Sequence, residues 1–123
     1  MKEPLMYMDC ILEMIDLIAK FTKKITFEDF IFQDYFDDKK TYYACAHALQ
    51  ILSGATQKLP AELKEKYPQI QWEEILWVNT ILVHEYKYID GMDKLRIWEV
   101  MKNHLAPLKE AVSDMRANTR KAQ

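Results

Sequence analysis

Apolar residues recur every three or four positions along most of the chain, and that spacing predicts helices rather than strands. After Pro4, one side of a helical projection carries Met8, Ile11, Leu12, Ile15, Ile18 and Ala19, and the other carries Asp9, Glu13, Asp16 and Lys20. This is an amphipathic helix, and proline suits its first turn, where a missing N–H removes no hydrogen bond. Lys20, Lys23 and Lys24 gather at its end. Positive charge there complements the helix dipole, which explains these lysines without any nucleic acid. Thr26 ahead of Phe27, Glu28 and Asp29 reads as the N-cap of a short helix ending at Ile31 or Phe32. The alternation in ITFEDFIF also fits a strand, but the chain offers it no obvious pairing partner.

Asp34, Asp37 and Asp38 offer caps for a long helix from about Lys39 to Lys58. Two apolar stripes run along it: Tyr42, Cys45, Leu49 and Leu52 form one, and Ala44, Ala48, Ile51 and Ala55 the other. A helix apolar on two sides belongs at the centre of a fold. Gly54 inside it costs about 1 kcal/mol relative to alanine, so the pattern predicts close approach of another helix or chain there. Pro60 and Pro68 bracket a short helix over residues 60 to 67, and a further helix runs from about Trp72 to Glu85 with Glu73 and Glu74 in its first turn. Gly91 with Asp90 and Asp93 predicts a turn. The last helix, to about residue 118, carries Trp98, Met101, Leu105, Leu108, Val112 and Met115 at three- and four-residue steps. Pro107 should kink it near Lys102 or Asn103. Four longer helices and two short ones predict an all-α, four-helix-type bundle in a single domain over residues 1–123.

Composition narrows the function classes. Half of the 123 residues are hydrophobic, and glycine occurs only twice. So little glycine disfavours hairpin-rich sheets and leaves neither a P-loop nor a dinucleotide fingerprint. A net charge of −2 with pI near 5.9 does not make the whole surface a polyanion binder, though it permits a local basic patch. No apolar run approaches the ~20 residues that cross a bilayer, and the N-terminus lacks a secretory apolar segment, so a cytoplasmic protein with no membrane partner is expected. Cys10 and Cys45 fall inside apolar helical patterns without CxxC or metal-type spacing, which suits free core thiols.

The stretch VNTILVHEYKY, residues 78 to 88, ends an apolar run in a histidine, two tyrosines and an acid. A histidine at a helix end gains ~0.3–1 kcal/mol from the dipole alone, so His84 by itself is a weak signal. The surrounding landmarks are more specific. LP precedes a short charged helix and YPQI; W-x-x-I, HEY and ID follow, with a later tryptophan at Trp98. In this order, across TYYACAHALQILSGATQKLPAELKEKYPQIQWEEILWVNTILVHEYKYID, they resemble the HepT-like family of the HEPN superfamily.

The resemblance implies an HEPN-like helical bundle that forms a homodimer, with the histidine-bearing helices of both subunits facing a shared cleft. It implies a metal-independent ribonuclease with RNA as substrate and no cofactor, the toxin half of a toxin–antitoxin pair. The implied partner is a cognate MntA-like minimal nucleotidyltransferase that silences the toxin by transferring AMP to the motif tyrosine. That motif is Arg, four to six residues, His, one residue, Tyr. By position, the catalytic histidine is His84, and the tyrosine, also the modification site, is Tyr86. The arginine has no counterpart: Asn79 stands five residues before His84, and longer spacings meet Val78 and Trp77. Upstream, the family's Arg-Asn-Leu-Glu run falls on His47, Ala48, Leu49 and Gln50, and its Gly-Glu pair on Ser53 and Gly54.

Metal-free RNA cleavage needs a base for the 2′-hydroxyl, an acid for the leaving oxygen and positive charge against the phosphorane. His84 suits proton shuttling, because its ordinary pKa of about 6.5 lies near working pH. Asn79 offers one neutral hydrogen bond in place of a forked cation, and loss of one donor at such a site costs about 10²- to 10³-fold in rate. At about 100° per residue, position 84 shares a side with Trp77 and Thr80, about 140° from Asn79 and about 160° from Tyr86. Either the helix ends near Glu85 or a second subunit completes the site. His47 is a candidate second imidazole, Tyr7 and Tyr88 are alternative modification sites, and Arg116, Arg120 and Lys121 read as a solvated basic end. The expectations are therefore an HEPN ribonuclease toxin or, alternatively, a catalytically impaired subunit that binds the nucleotidyltransferase and accepts AMP. A purely structural dimerisation module is the third.

Overall fold

A computed structural model of the chain describes residues 2–31, 39–84 and 91–122. They form seven helices: α1 (Lys2–Phe21), α2 (Phe27–Ile31), α3 (Lys39–Lys58), α4 (Ala61–Glu65), α5 (Trp72–His84), α6 (Gly91–Glu99) and α7 (Leu105–Ala122). A π-helical turn, Val100–His104, joins α6 to α7. The described residues contain no strand; Phe32 lies outside them, and within ITFEDFIF the residues Phe27–Ile31 form helix α2. A capping box explains why. The Thr26 hydroxyl accepts the Asp29 N–H at 3.1 Å, and the Asp29 carboxylate accepts the Thr26 N–H at 3.0 Å. The expected caps Asp34, Asp37 and Asp38 lie outside the described residues.

The helices surround one apolar cluster. Met8, Ile11, Ile15 and Ile18 of α1 are buried, as are Leu49 and Leu52 of α3, Ile75 and Val78 of α5, and Leu108, Val112 and Met115 of α7. Ala19, placed on the apolar side by its spacing, is exposed. Helix α3 packs against both α1 and α5, as its two stripes predict, while α7 closes on α1 and the π turn meets α5. On the outside, Asp9 pairs with Arg116, and Asp16 with Lys109 at 3.0 Å. Both steps are seven residues but run in opposite directions, which sets α1 and α7 antiparallel with two turns between the pairs. Arg116 is therefore engaged across the bundle, which corrects its reading as part of a solvated tail; Arg120 and Lys121 are exposed.

Three local expectations change. A Cβ built on Gly54 meets nothing within 4 Å, so no helix of the described chain approaches closely enough to require glycine. Gly91 opens α6 instead of forming a turn, and Asp93 is already helical. Pro107 acts four residues upstream of itself. It has no N–H for the carbonyl of Asn103 and its ring crowds that carbonyl, and the backbone widens into the π turn at Val100–His104.

Candidate functional site

Helix α5 carries the motif positions, and its packing gives them an orientation. Ile75, Val78 and Leu82 are buried. Across the α3 boundary, the Ser53 hydroxyl donates to the carbonyl of Ile75 at 2.9 Å, which pins α5 to α3 at one register. With that face turned inward, position 84 falls about 180° from Ile75, on the outward side of the helix. Thr80, on the same side, is exposed, and Trp77 is half-buried. Position 79 lies only about 40° from Ile75, and Asn79 is accordingly half-buried. Positions 84 and 79 therefore do not share a face of α5. Tyr86 and Tyr88 lie outside the described residues, as does the side chain of His84.

The outward side of α5 holds a charged assembly that the sequence reading missed. Arg96 of α6 donates to Glu74 through both Nε (3.0 Å) and Nη2 (2.8 Å), and its guanidinium lies 3.8 Å from the Trp77 ring centroid. A planar fork fits a carboxylate and an aromatic face at once, which a lysine does not do. The hydrogen bond from Arg96 holds the Glu74 carboxyl below its ordinary 4.5; partial burial opposes this, and the charges of Arg96 and His104 add to it. Glu74 and Arg96 stand 22 positions apart, and no periodicity couples them. Only the docking of α6 on α5 brings them together. Trp77 and position 84 differ by about 20° around α5 and ~10 Å along it, so this guanidinium is held on the side of α5 to which position 84 belongs by helical register. Its charge is offset by Glu74.

The other singled-out positions are dispersed. His47 is exposed on α3 and Tyr7 is half-buried on α1. Cys10 and Cys45 are free thiols; burial pushes Cys45 up to about 11, against the opposing charge of Lys102. Among the described residues, no three His, Cys, Asp or Glu side chains cluster as metal ligands, and no helix is long and apolar enough to cross a membrane. Lys23, in the turn after α1, and Lys102 of the π turn line a groove of about 330 Å³ between α1 and α7.

Comparison with known proteins agrees with the resemblance. The family model described as "Ribonuclease HepT-like" matches residues 11–115. "Probable ribonuclease HepT" of Thermococcus cleftensis is 34% identical over 110 residues, 89% of this chain and 93% of that protein. "Putative RNase MJ1216" of Methanocaldococcus jannaschii is 34% identical over 81% of this chain and 76% of its own length. "Putative RNase TTE0752" of Caldanaerobacter subterraneus is 30% identical over 94% and 96%. No solved structure matches. With a family match over most of its length and relatives aligned nearly end to end, this all-α chain belongs to the ribonuclease HepT-like family of the HEPN superfamily.

Proposed function

We propose that the protein is the toxin of a toxin–antitoxin pair, a metal-independent ribonuclease that cuts RNA in a cleft between two copies of the chain. His84 takes the proton from the 2′-hydroxyl and returns one to the leaving oxygen; Tyr86, two positions later in the motif, is the site of AMP transfer by an MntA-like nucleotidyltransferase. The observation that carries this reading is the outward register of position 84 on α5, set by the inward packing of Ile75, Val78 and Leu82 in a chain whose relatives are named as ribonucleases. Position 79 lies on the half-buried flank of the same helix, so a site built from both positions draws on two subunits.

The experiment is RNA decay and growth arrest on expression, compared with His84→Ala. Loss of both effects in the variant is expected, and identical behaviour of the two proteins removes the catalytic assignment. Asn79 favours a second reading, because a neutral amide cannot supply an arginine's charge. In that reading the subunit no longer cleaves and serves as the AMP acceptor of its partner. Incubation with the partner and ATP then adds one AMP to Tyr86, seen by mass spectrometry and absent from Tyr86→Phe.

A further inference from the structure

The chain is acidic overall, yet lysines converge on the groove between α1 and α7. Lys23, Lys102 and Lys109 lie along its edges with Asp16 among them, and Ile18, Met101 and Leu105 lie in its floor. Asp16 is bonded to Lys109 at 3.0 Å, so that pair offsets itself. Lys23 and Lys102 supply the remaining positive charge among the lining residues. The groove, at about 330 Å³, has room for a sugar–phosphate unit. Its α7-side edge is the π turn, a departure from regular helix that recurs at functional sites. Lys102 also leaves the groove toward an aromatic pair: its Nζ lies 4.8 Å from the Trp98 centroid, and that ring meets Phe27 edge-on at 6.0 Å. Phe27 is 39% exposed.

We infer that this groove binds the backbone of a single-stranded RNA, with Lys23 and Lys102 on phosphates and Phe27 as a stacking surface for a base. Cations beside an exposed aromatic suit an unpaired strand, since a duplex keeps its base faces covered. The groove lies between α1 and α7 and no residue of α5 lines it, so it holds RNA outside the cleavage cleft and lengthens the contact with one strand. The identity of the ligand rests on the ribonuclease reading; the charge and shape of the groove do not.

Binding of a fluorescent single-stranded oligoribonucleotide across a salt series, in the full chain carrying His84→Ala, tests this. Each phosphate contact on a single strand contributes about −0.7 to the slope of log K against log salt, so Lys23→Ala with Lys102→Ala should make the slope less negative by about 1.4. Lys58→Ala with Lys66→Ala, at the other end of the bundle, should leave it unchanged, and Lys23→Arg with Lys102→Arg should retain it. Phe27→Ala should weaken binding about tenfold without altering the slope. An unaltered slope in the Lys23 and Lys102 double variant, an equal change in the control pair, or tighter binding of duplex than of single strand overturns the inference. The two readings fail separately. RNA that is cut by the His84 protein but whose binding ignores both lysines removes the groove alone, whereas RNA held through both lysines and never cut removes the nuclease alone.

Discussion

Gly54 lies inside the 20-residue helix α3, four residues before its end, without a steric reason in the described chain, because a methyl there meets no atom within 4 Å. Gly54→Ala should therefore raise stability by about 1 kcal/mol through helix propensity, read as a higher urea midpoint with unchanged m-value; a lower midpoint refutes it. Ser53 beside it is tied by its hydroxyl to α5, and Ser53→Ala should cost about 1 kcal/mol, since it leaves α5's carbonyl without that donor. Cys45 shows burial acting on chemistry. Its folded pKa, about 11, lies above the ordinary 9.0, mainly because burial disfavours the thiolate. For a raised pKa the stabilisation is full below 9.0 and is lost as pH climbs toward about 11. Native Cys45 should resist iodoacetamide at neutral pH and react once the chain is unfolded; rapid labelling of the folded protein contradicts this.

At the scale of elements, Glu74, Arg96 and Trp77 link α6 to α5 through side chains, while α6 packs on α2 and the π turn. Both charged side chains are partly exposed, 42% for Arg96 and 30% for Glu74, so the pair contributes no more than about 1 kcal/mol. Its pH dependence has a definite sign. Glu74 has a depressed folded pKa, so its contribution is present above the ordinary carboxylate value of 4.5 and disappears as pH falls through the lower folded value. The protection of α6 amides, taken relative to the intrinsic exchange rate at each pH, should fall on acidification in the parent protein and already be lower, with a weaker acid dependence, in Glu74→Gln. Unchanged protection in both refutes the link. Much at this scale was legible in the sequence. Two apolar stripes mark Lys39–Lys58, and a threonine cap followed by acids in the first turn marks α2. The π turn was legible only as a disturbance before Pro107, because a proline states which hydrogen bond is missing but not how the backbone absorbs the loss.

For the whole molecule, the core explains stability and the outer faces bear on assembly. Leu108 is fully buried among helices from both ends of the chain, and Leu108→Ala should cost about 2–5 kcal/mol in a urea titration. The proposed cleft requires two subunits, because positions 79 and 84 face different sides of α5. Native mass spectrometry should then show a species of twice 14.7 kDa. A monomer at every concentration, still active as a nuclease, refutes the shared-cleft arrangement.

The sequence alone determined the helical class, most helix limits, the central place of α3 and the family. Apolar spacing, proline and capping residues act locally, and motif order survives in the linear chain. Tertiary structure decided which way α5 faces, and with it the separation of Asn79 from the outward side of position 84. It also paired Arg96 with Glu74, turned Arg116 onto Asp9, and gathered Lys23 and Lys102 at one groove. These are relations between residues far apart in the chain, and helical periodicity carries no information about them until the helices pack.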